Sequence, residues 1–303
     1  MLDSSTSEQD SVQMVQDIVQ AHQDTLALPA TLPEGVIYTA NGMVYRSAKL
    51  ACQRLGFSDE DAQLVALAWQ QQAIRTGIFA AGRWPCEPVD FAIAPRPRRE
   101  AFAVCPKRLG LYAVVPNATW VGRMARAGVP TVQLRFKVDN AASVEREVRA
   151  AVKAVQGTRA LLFINDHWQA AISAGAYGVH LGQEDMDVAD LAVIRNAGLR
   201  LGLSSHGYAE MIKADRVSPS YIAIGAVYAT TLKRMVTPPQ GLGRLRAYAQ
   251  LMRDYPLVAI GGIDESRLDE VCATGVGSVA MVRALLESSE PELIANALMQ
   301  RIN

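Results

Sequence analysis

Short apolar runs recur along the chain beyond residue 106, and amphipathic stretches typical of helices separate nearly all of them. The runs are LGLYAVV (109–115), TVQLRF (131–136), ALLFIN (160–165), GVHL (178–181), LRLGLS (199–204), SYIAIGAV (220–227), LVAIGG (257–262) and SVAMV (278–282). Apolar and β-branched residues follow one another in these runs, as in strands that are covered on both faces. Strand-like runs that alternate with helical stretches predict parallel βαβ units.

The number of these units selects the architecture. Eight strand–helix units can close into a (β/α)8 TIM barrel with a packed interior. A doubly wound open sheet is the alternative, but no Gly-x-Gly-x-x-Gly motif follows the first run. We therefore predict an α/β fold: a (β/α)8 TIM barrel over residues 107–303, preceded by an N-terminal helical extension and a proline-rich linker over residues 1–106.

The region before residue 107 has a different pattern. Ser58 and Asp61 resemble the start of a helix with a capping box, and apolar residues follow at helical spacing. The stretch from 84 to 106 is rich in proline and contains the basic residues Arg96, Arg98 and Arg99. Because proline lacks the backbone donor that helices and central strands need, we interpret this stretch as a solvated linker. Contact of its arginines with a phosphate or an acidic surface is the alternative.

Composition and charge exclude several classes of protein. Half of the residues are hydrophobic, which excludes a chain that is disordered throughout. The 30 Lys and Arg residues balance the 30 Asp and Glu residues, so net charge offers no attraction for nucleic acid. No apolar run approaches the ~18–20 residues of a membrane span. We expect a cytoplasmic protein with small-molecule partners, no nucleic acid and no membrane, and leave open whether it forms a homo-oligomer.

The four cysteines, Cys52, Cys86, Cys105 and Cys272, are widely scattered and form no Cys-x-x-Cys pair. This spacing favours reduced thiols over a zinc site or a set of disulfides.

Polar residues are concentrated where the predicted strands end. The working residues of a TIM barrel lie at these carboxyl ends and in the loops that follow them. The candidates are Gln133, Arg135, Lys137, Asn165, Asp166, His167, Gln183, Glu184, Asp185, Ser204, Ser205, His206, Thr230, Thr231, Lys233, Gly261, Gly262 and Arg283. Because the opposite ends of the strands are much less polar, we predict one shared pocket.

The types of these residues indicate a phosphorylated ligand. The cationic members, Arg135, Lys137, Lys233 and Arg283, suit phosphate groups. Asp166 and Asp185 end adjacent strands, so both carboxylates can meet a single Mg²⁺. Gly261 and Gly262 allow backbone N–H groups to approach an anion. The residues therefore predict a Mg²⁺-dependent enzyme for a phosphorylated or diphosphorylated small substrate.

Each of these residues also has a structural interpretation. Asp166 or Asp185 can cap the helix that follows it, since Asp is a preferred N-cap. His180 lies within a predicted strand and is interpreted as a hydrogen-bonded structural histidine.

Several segments resemble one enzyme family. VQLRFK, FINDHWQAAISAGAYGVHLGQED, LRLGLSSH, SYIAIGAVYATTLK, PPQGL and VAIGGI, spread over residues 108–290, are similar to segments of thiamine-phosphate synthases. The resemblance implies the coupling of hydroxymethylpyrimidine diphosphate to a thiazole phosphate by a Mg²⁺-assisted dissociative substitution, with release of diphosphate. It also implies a binding role for most of the residues named above.

The implied roles fall into three groups. The pyrimidine diphosphate is expected at Gln133, Arg135, Lys137, Asn165, Ser204 and Lys233, of which Arg135, Ser204 and Lys233 form the catalytic group. The Mg²⁺ ligands are expected to be Asp166 and Asp185. The thiazole phosphate is expected at Thr230, Thr231, Gly262, Val282 and Arg283.

The chain departs from the family pattern on the thiazole side. The family's usual Pro-Thr-x-Thr-Lys is Ala229-Thr230-Thr231-Leu232-Lys233 here, and Arg283 stands where Ser is frequent. Two further functions therefore stay open: a thiazole tautomerase with His206 as acid and base, and a catalytically silent barrel that binds phosphorylated ligands. The segment RSAKLACQRLGFSDEDAQLVALAWQQQAIRTG resembles the last helices of hydroxymethylpyrimidine phosphate kinase.

Overall fold

The structure is a computed structural model that describes residues 4–28, 42–230 and 237–302. The described residues form two compact units. One comprises the described residues of Met1–Pro95 together with Gly207–Ile212, and the other comprises those of Arg96–His206 and Lys213–Asn303. Over the described ranges, no helix has both the length and the apolar character that crossing a membrane requires.

The first unit is helical, as predicted. Its helices are α1 (Ser4–Leu26), α2 (Met43–Arg54) and α3 (Asp59–Thr76). The side chain of Ser58 caps α3 by accepting a hydrogen bond from the backbone N–H of Asp61 at 3.2 Å. Gly77 ends α3 with a φ of 77°, the left-handed conformation in which helices commonly stop. Trp69 and Trp84 meet edge to face in the core of this unit, with ring centroids 5.2 Å apart.

Within the described residues, the second unit is a closed barrel of eight parallel strands in the order of the chain. The strands are β1 (Gly110–Val115), β2 (Thr131–Leu134), β3 (Leu161–Asn165), β4 (Gly178–Leu181), β5 (Arg200–Ser205), β6 (Tyr221–Ile224), β7 (Leu257–Ala259) and β8 (Ser278–Met281). Each strand lies within or overlaps one of the apolar runs, so the predicted (β/α)8 TIM barrel is confirmed. Nearly all of the strand residues are buried, because the barrel core covers one face and helices cover the other.

Helices follow the strands around the outside of the barrel. They are α4 (Ala118–Arg126), α5 (Ala141–Ala154), α6 (Trp168–Ala174), α7 (Gln183–Val188), α8 (Leu191–Asn196), α10 (Gly241–Leu251), α11 (Leu268–Cys272), α12 (Arg283–Leu286) and α13 (Pro291–Ile302). A further helix, α9 (Tyr208–Arg216), has its first residues in the first unit and its last in the second. Short 3₁₀ turns lie at Pro88–Phe91 and Glu265–Arg267.

Aromatic side chains fill the interior of the barrel. Tyr112, Phe163 and Tyr221 are fully buried, and their ring centroids lie 5.1–6.1 Å apart. Above these rings, toward the carboxyl ends of the strands, smaller side chains such as Ala223 and Ala280 leave space for a cavity. The core therefore serves as the floor of the candidate site.

The proline-rich stretch from residue 96 onward belongs to the barrel unit. Arg98 donates to both carboxylate oxygens of Asp215 at 2.7 and 2.8 Å, and Asp215 is buried. Phe102 is also buried, and its backbone N–H donates to Ser218. Arg98 is thus an ion-pair partner in the barrel and not a solvated linker residue. The spacing concealed this pairing, because the two partners are 117 residues apart.

Candidate active site

A cavity of about 610 Å³ opens at the carboxyl ends of the barrel strands. Every strand contributes to its wall through a residue in the strand or directly after it. The predicted site residues that line it are Gln133, Arg135, Lys137, Asn165, Asp166, Asp185, Ser204, Thr230, Gly262, Val282 and Arg283. Thr231, Leu232 and Lys233 lie outside the described residues. The structure thus gathers the described candidates in one place, while their individual roles stay predictions.

Two buried amides meet at the ends of β2 and β3. Nε2 of Gln133 donates to Oδ1 of Asn165 at 2.8 Å. This bond fixes both amide planes, and it leaves the Gln133 carbonyl and the Asn165 amino group available to a ligand. The parallel register sets Gln133 beside Phe163, so Asn165, two residues further along β3 and on the same face, is the diagonal neighbour of Gln133.

Asp166 and Asp185 approach each other after β3 and β4. Asp166 has a φ of 62°, a left-handed conformation that Asp tolerates better than most residues. Its backbone N–H donates to the carbonyl of His180, and its carboxylate pairs with Lys137. Burial, and then the charge of Asp166 and a hydrogen bond with it, raise the pKa of Asp185. Two acidic groups in direct contact indicate a place for a cation.

Neither residue is the N-cap of a following helix, but Asp185, the third residue of α7, bonds back to the N-cap residue Gly182. Oδ2 of Asp185 accepts from the backbone N–H of Gly182 at 3.2 Å, which completes a capping arrangement at the start of α7. Asp166 caps no helix, because α6 begins after His167 and has no side-chain cap. Asp185 therefore both helps to cap α7 and lines the cavity.

Two serines end β5 with different partners. The hydroxyl of Ser205 donates to the backbone carbonyl of Ala223 and is buried. The hydroxyl of Ser204 lies 2.9 Å from Nε2 of His180, which also lines the cavity. His180 was interpreted from the sequence as structural, so its place in the cavity wall was missed. The sequence offered one signal: His180 stands one residue before the end of a predicted strand, close to where site residues are expected.

The opposite side of the cavity is formed by glycines after β7. Gly261 and Gly262 have φ values of 103° and 65°, which side chains rarely adopt. A Cβ atom on Gly262 would lie 2.5 Å from the carbonyl oxygen of Ala229, and one on Gly261 would lie 2.5 Å from Cβ of Ala226. Glycine at both positions is therefore required for the backbone itself to line the wall.

A second residue that the sequence analysis missed is Arg267. Its guanidinium donates to the carbonyl of Gly262 at 2.6 Å and lies 4.4 Å from the ring centroid of Tyr228. These contacts brace the glycine turn, and Arg267 lines the same cavity as Arg283, the first residue of α12. A basic residue five positions after a glycine pair carries no signal by itself.

Comparisons with known proteins agree with this geometry. A family model described as thiamine monophosphate synthase matches residues 104–285. The thiamine-phosphate synthase of Neisseria gonorrhoeae is 58% identical over 189 residues, which cover 62% of this chain and 92% of that protein. The thiamine-phosphate synthase of Proteus mirabilis is 45% identical over 207 residues, covering 68% of this chain and 96% of the relative.

A solved structure is similar in fold. The thiamine phosphate pyrophosphorylase of Pyrococcus furiosus superposes with a TM-score of 0.57 at 24% identity, covering 64% of this chain and 96% of that protein. Sequence and fold therefore agree over the barrel. The match confirms the resemblance seen in the sequence, and the chain belongs to the thiamine monophosphate synthase family.

Proposed function

We propose that this protein is a thiamine-phosphate synthase. It joins hydroxymethylpyrimidine diphosphate to a thiazole phosphate and releases diphosphate, which gives thiamine phosphate. The observation that carries the proposal is the cavity of this chain, which belongs to the family. Paired carboxylates, cationic side chains and a glycine wall surround one space there. Such a set suits two phosphorylated substrates at once.

The carboxylate pair is the proposed Mg²⁺ site. Mg²⁺ in enzymes is typically held by one or two carboxylates together with substrate phosphates, so Asp166 and Asp185 are a sufficient protein contribution. The described residues hold no group of three or more His, Cys, Asp or Glu side chains suited to a metal, in keeping with a site that the substrate completes. When bound, Mg²⁺ would neutralise negative charge on the diphosphate.

The side chains around this pair would hold and orient the pyrimidine diphosphate. Arg135 and Lys137 supply positive charge near the proposed diphosphate position, and the amides of Gln133 and Asn165 offer an acceptor and a donor. As the bond between the pyrimidine methylene carbon and the diphosphate oxygen breaks, the leaving group gains negative charge. Preorganised cationic groups stabilise that charge without reorganisation.

The glycine side would hold the second substrate. Backbone groups at Gly262 and the guanidinium of Arg283 are suited to the thiazole phosphate, with Thr230 and Val282 beside them. The thiazole nitrogen then forms the new bond to the methylene carbon. No base or covalent nucleophile is needed, so the protein contributes orientation and electrostatic stabilisation.

The test is direct detection of the product. Purified protein is incubated with both substrates in Mg²⁺ or in EDTA, and thiamine phosphate is measured by mass spectrometry. Product that depends on Mg²⁺ is the expected result. Absence of product from folded protein in Mg²⁺ would contradict the proposal, and equal product in EDTA would contradict the metal assignment.

The same assay separates the two alternative functions. A tautomerase would convert a thiazole tautomer with no pyrimidine substrate present, using His206, which lies in the cavity wall. A silent barrel would bind the phosphorylated substrates and form no product. Incubating each substrate separately therefore distinguishes these outcomes.

A further inference from the structure

Four hydrogen-bonded side chains connect the barrel interior to the cavity wall. Oη of Tyr112 lies 2.7 Å from Oη of Tyr221, which lies 2.7 Å from Nδ1 of His180. Nε2 of His180 lies 2.9 Å from Oγ of Ser204. His180 and Ser204 line the cavity, whereas both tyrosines are fully buried. The distances alone leave the direction of donation open, since hydroxyl rotation and histidine tautomer follow from the network.

The interior end of the network shows which way the hydrogen bonds run. Apolar side chains enclose Tyr112, including those of Leu109, Phe163 and Val258. Among the described residues, Tyr221 is the hydrogen-bond partner of the Tyr112 hydroxyl, and no second one lies within reach. A buried hydroxyl that donates to nothing is costly, so Tyr112 donates to Tyr221.

The direction then passes outward one bond at a time. Tyr221 therefore donates its own proton to Nδ1 of His180. Because Nδ1 accepts this hydrogen bond, it carries no proton. The neutral imidazole therefore bears its proton on Nε2 and donates it to Oγ of Ser204. The Ser204 proton is left to point into the cavity. The reverse direction would leave the Tyr112 proton without an acceptor in the barrel interior.

Packing holds the central tyrosine in place. Tyr221 and Phe163 meet edge to face with ring centroids 5.1 Å apart, and the Tyr221 ring lies end to end with His180, their planes inclined by 23°. The ring also lies over Gly202 in the neighbouring strand, where a Cβ atom would be 2.1 Å from Cζ of Tyr221. A glycine inside a strand often marks such a close approach. The hydroxyl of Tyr221 therefore cannot swing away from Nδ1 of His180.

We infer that Tyr221 and His180 are positioning residues that make Ser204 a hydrogen-bond donor to the ligand of the cavity. The ligand atom that receives the Ser204 proton is then a lone-pair acceptor, such as an aromatic ring nitrogen. This inference goes beyond the proposed function, because the direction of the network does not depend on which ligand the cavity holds.

The first test is made on the protein without ligand. The ring nitrogens of its four histidines are observed by ¹⁵N NMR, and the signals of His180 are assigned by their loss in His180→Gln. We expect a protonated Nε2 and an unprotonated Nδ1. A proton on Nδ1, or a rapidly exchanging mixture of tautomers, would overturn the inference.

A matched pair of variants separates positioning from stability. Tyr112→Phe and Tyr221→Phe each remove one buried hydroxyl and keep the aromatic ring. Tyr112→Phe leaves the bond from Tyr221 to Nδ1 intact, so the ¹⁵N signals of His180 should keep the Nε2-protonated pattern. Tyr221→Phe removes that donor, and we expect the signals to shift toward a mixture of tautomers.

Kinetics extend the comparison to the ligand. Tyr221→Phe should raise the KM for hydroxymethylpyrimidine diphosphate about tenfold, the effect of one lost hydrogen bond, while Tyr112→Phe keeps the parental value. Equal changes in both variants would assign the network a structural role and overturn the inference. The expected ¹⁵N pattern in a protein that forms no thiamine phosphate would contradict the proposed function and leave the inference standing.

Discussion

The two sides of the cavity are built on different principles. At the ends of β2 to β5, side chains pair with one another, as Gln133 does with Asn165 and His180 does with Ser204. After β6 and β7, the wall consists largely of backbone, and Gly261 and Gly262 are present because a Cβ atom has no room there. The chemistry of the β2–β5 side is set by its polar side chains, whereas the shape of the glycine side is set by the absence of side chains.

This difference separates two kinds of substitution. Exchanging a side chain on the β2–β5 side leaves a neighbour without its partner, so the chemistry of the site changes. Adding a side chain on the glycine side displaces backbone, so the shape of the site changes. If each side holds one substrate, the two kinds of substitution should raise the KM values of different substrates.

The largest effect is expected for Asp185→Asn. Loss of one carboxylate weakens the proposed Mg²⁺ site, and kcat should fall by about 100-fold or more, as for other removed electrostatic groups. Asp187→Asn is the matched control, because Asp187 lies in the same helix and pairs with Lys213 at 2.7 Å. Steady-state kinetics at saturating Mg²⁺ measure both. A comparable loss in both variants would contradict the carboxylate assignment.

The next effect is expected for Arg283→Gln. A charge-assisted bond to phosphate is lost, so the KM for the thiazole phosphate should rise about 30-fold while that for the pyrimidine diphosphate changes little. Arg301→Gln serves as the control, since Arg301 pairs with Asp269 at 2.9 Å on the outside of the barrel. A rise in the KM of the pyrimidine substrate would show that the two sides do not divide the substrates as described.

A smaller effect is expected for Gly262→Ala. The added Cβ would lie 2.5 Å from the carbonyl oxygen of Ala229, so the glycine turn must shift and the KM for the thiazole phosphate should rise about tenfold. Gly275→Ala is the control for backbone strain, because Gly275 also has a positive φ, of 95°, but its Cβ would contact nothing. Both variants should lose about 1–2 kcal/mol of stability to the positive φ, and Gly262→Ala should lose more because of its contact with Ala229. Equal KM values for the two variants would contradict the shape argument.

The smallest effect concerns pH and stability in EDTA. Burial, and then the charge of Asp166, raise the pKa of Asp185. A carboxyl with a raised folded-state pKa favours folding at low pH, and this contribution is lost as pH rises through the folded value. Asp185→Asn cannot ionise, so its Tm relative to the parent should increase between pH values below 3.8 and pH 7. Calorimetry measures this difference, and a constant or falling value would contradict it.

The barrel and the position of the site were predictable because both follow from local pattern. Each strand lies in a largely apolar run, and most of the polar residues that line the cavity stand at or near the ends of these runs. The direction of the interior network was not predictable, since His180 and Tyr221 are 41 residues apart and their contact depends on the glycine at position 202. The periodicity of apolar residues predicts which face of an element a residue occupies. It does not predict which distant residue its side chain contacts.

The pairing of Arg98 with Asp215 has a consequence for where an independently expressed barrel can begin. The family match starts at residue 104, and a chain trimmed to that boundary would keep Asp215 buried beside the hydroxyl of Tyr255 but would lose its cation. Leaving one member of a buried ion pair uncompensated costs about 3–5 kcal/mol, a large part of the stability of an ordinary domain. A barrel expressed on its own should therefore start before residue 98 to keep its full stability, several residues ahead of the start of the family match.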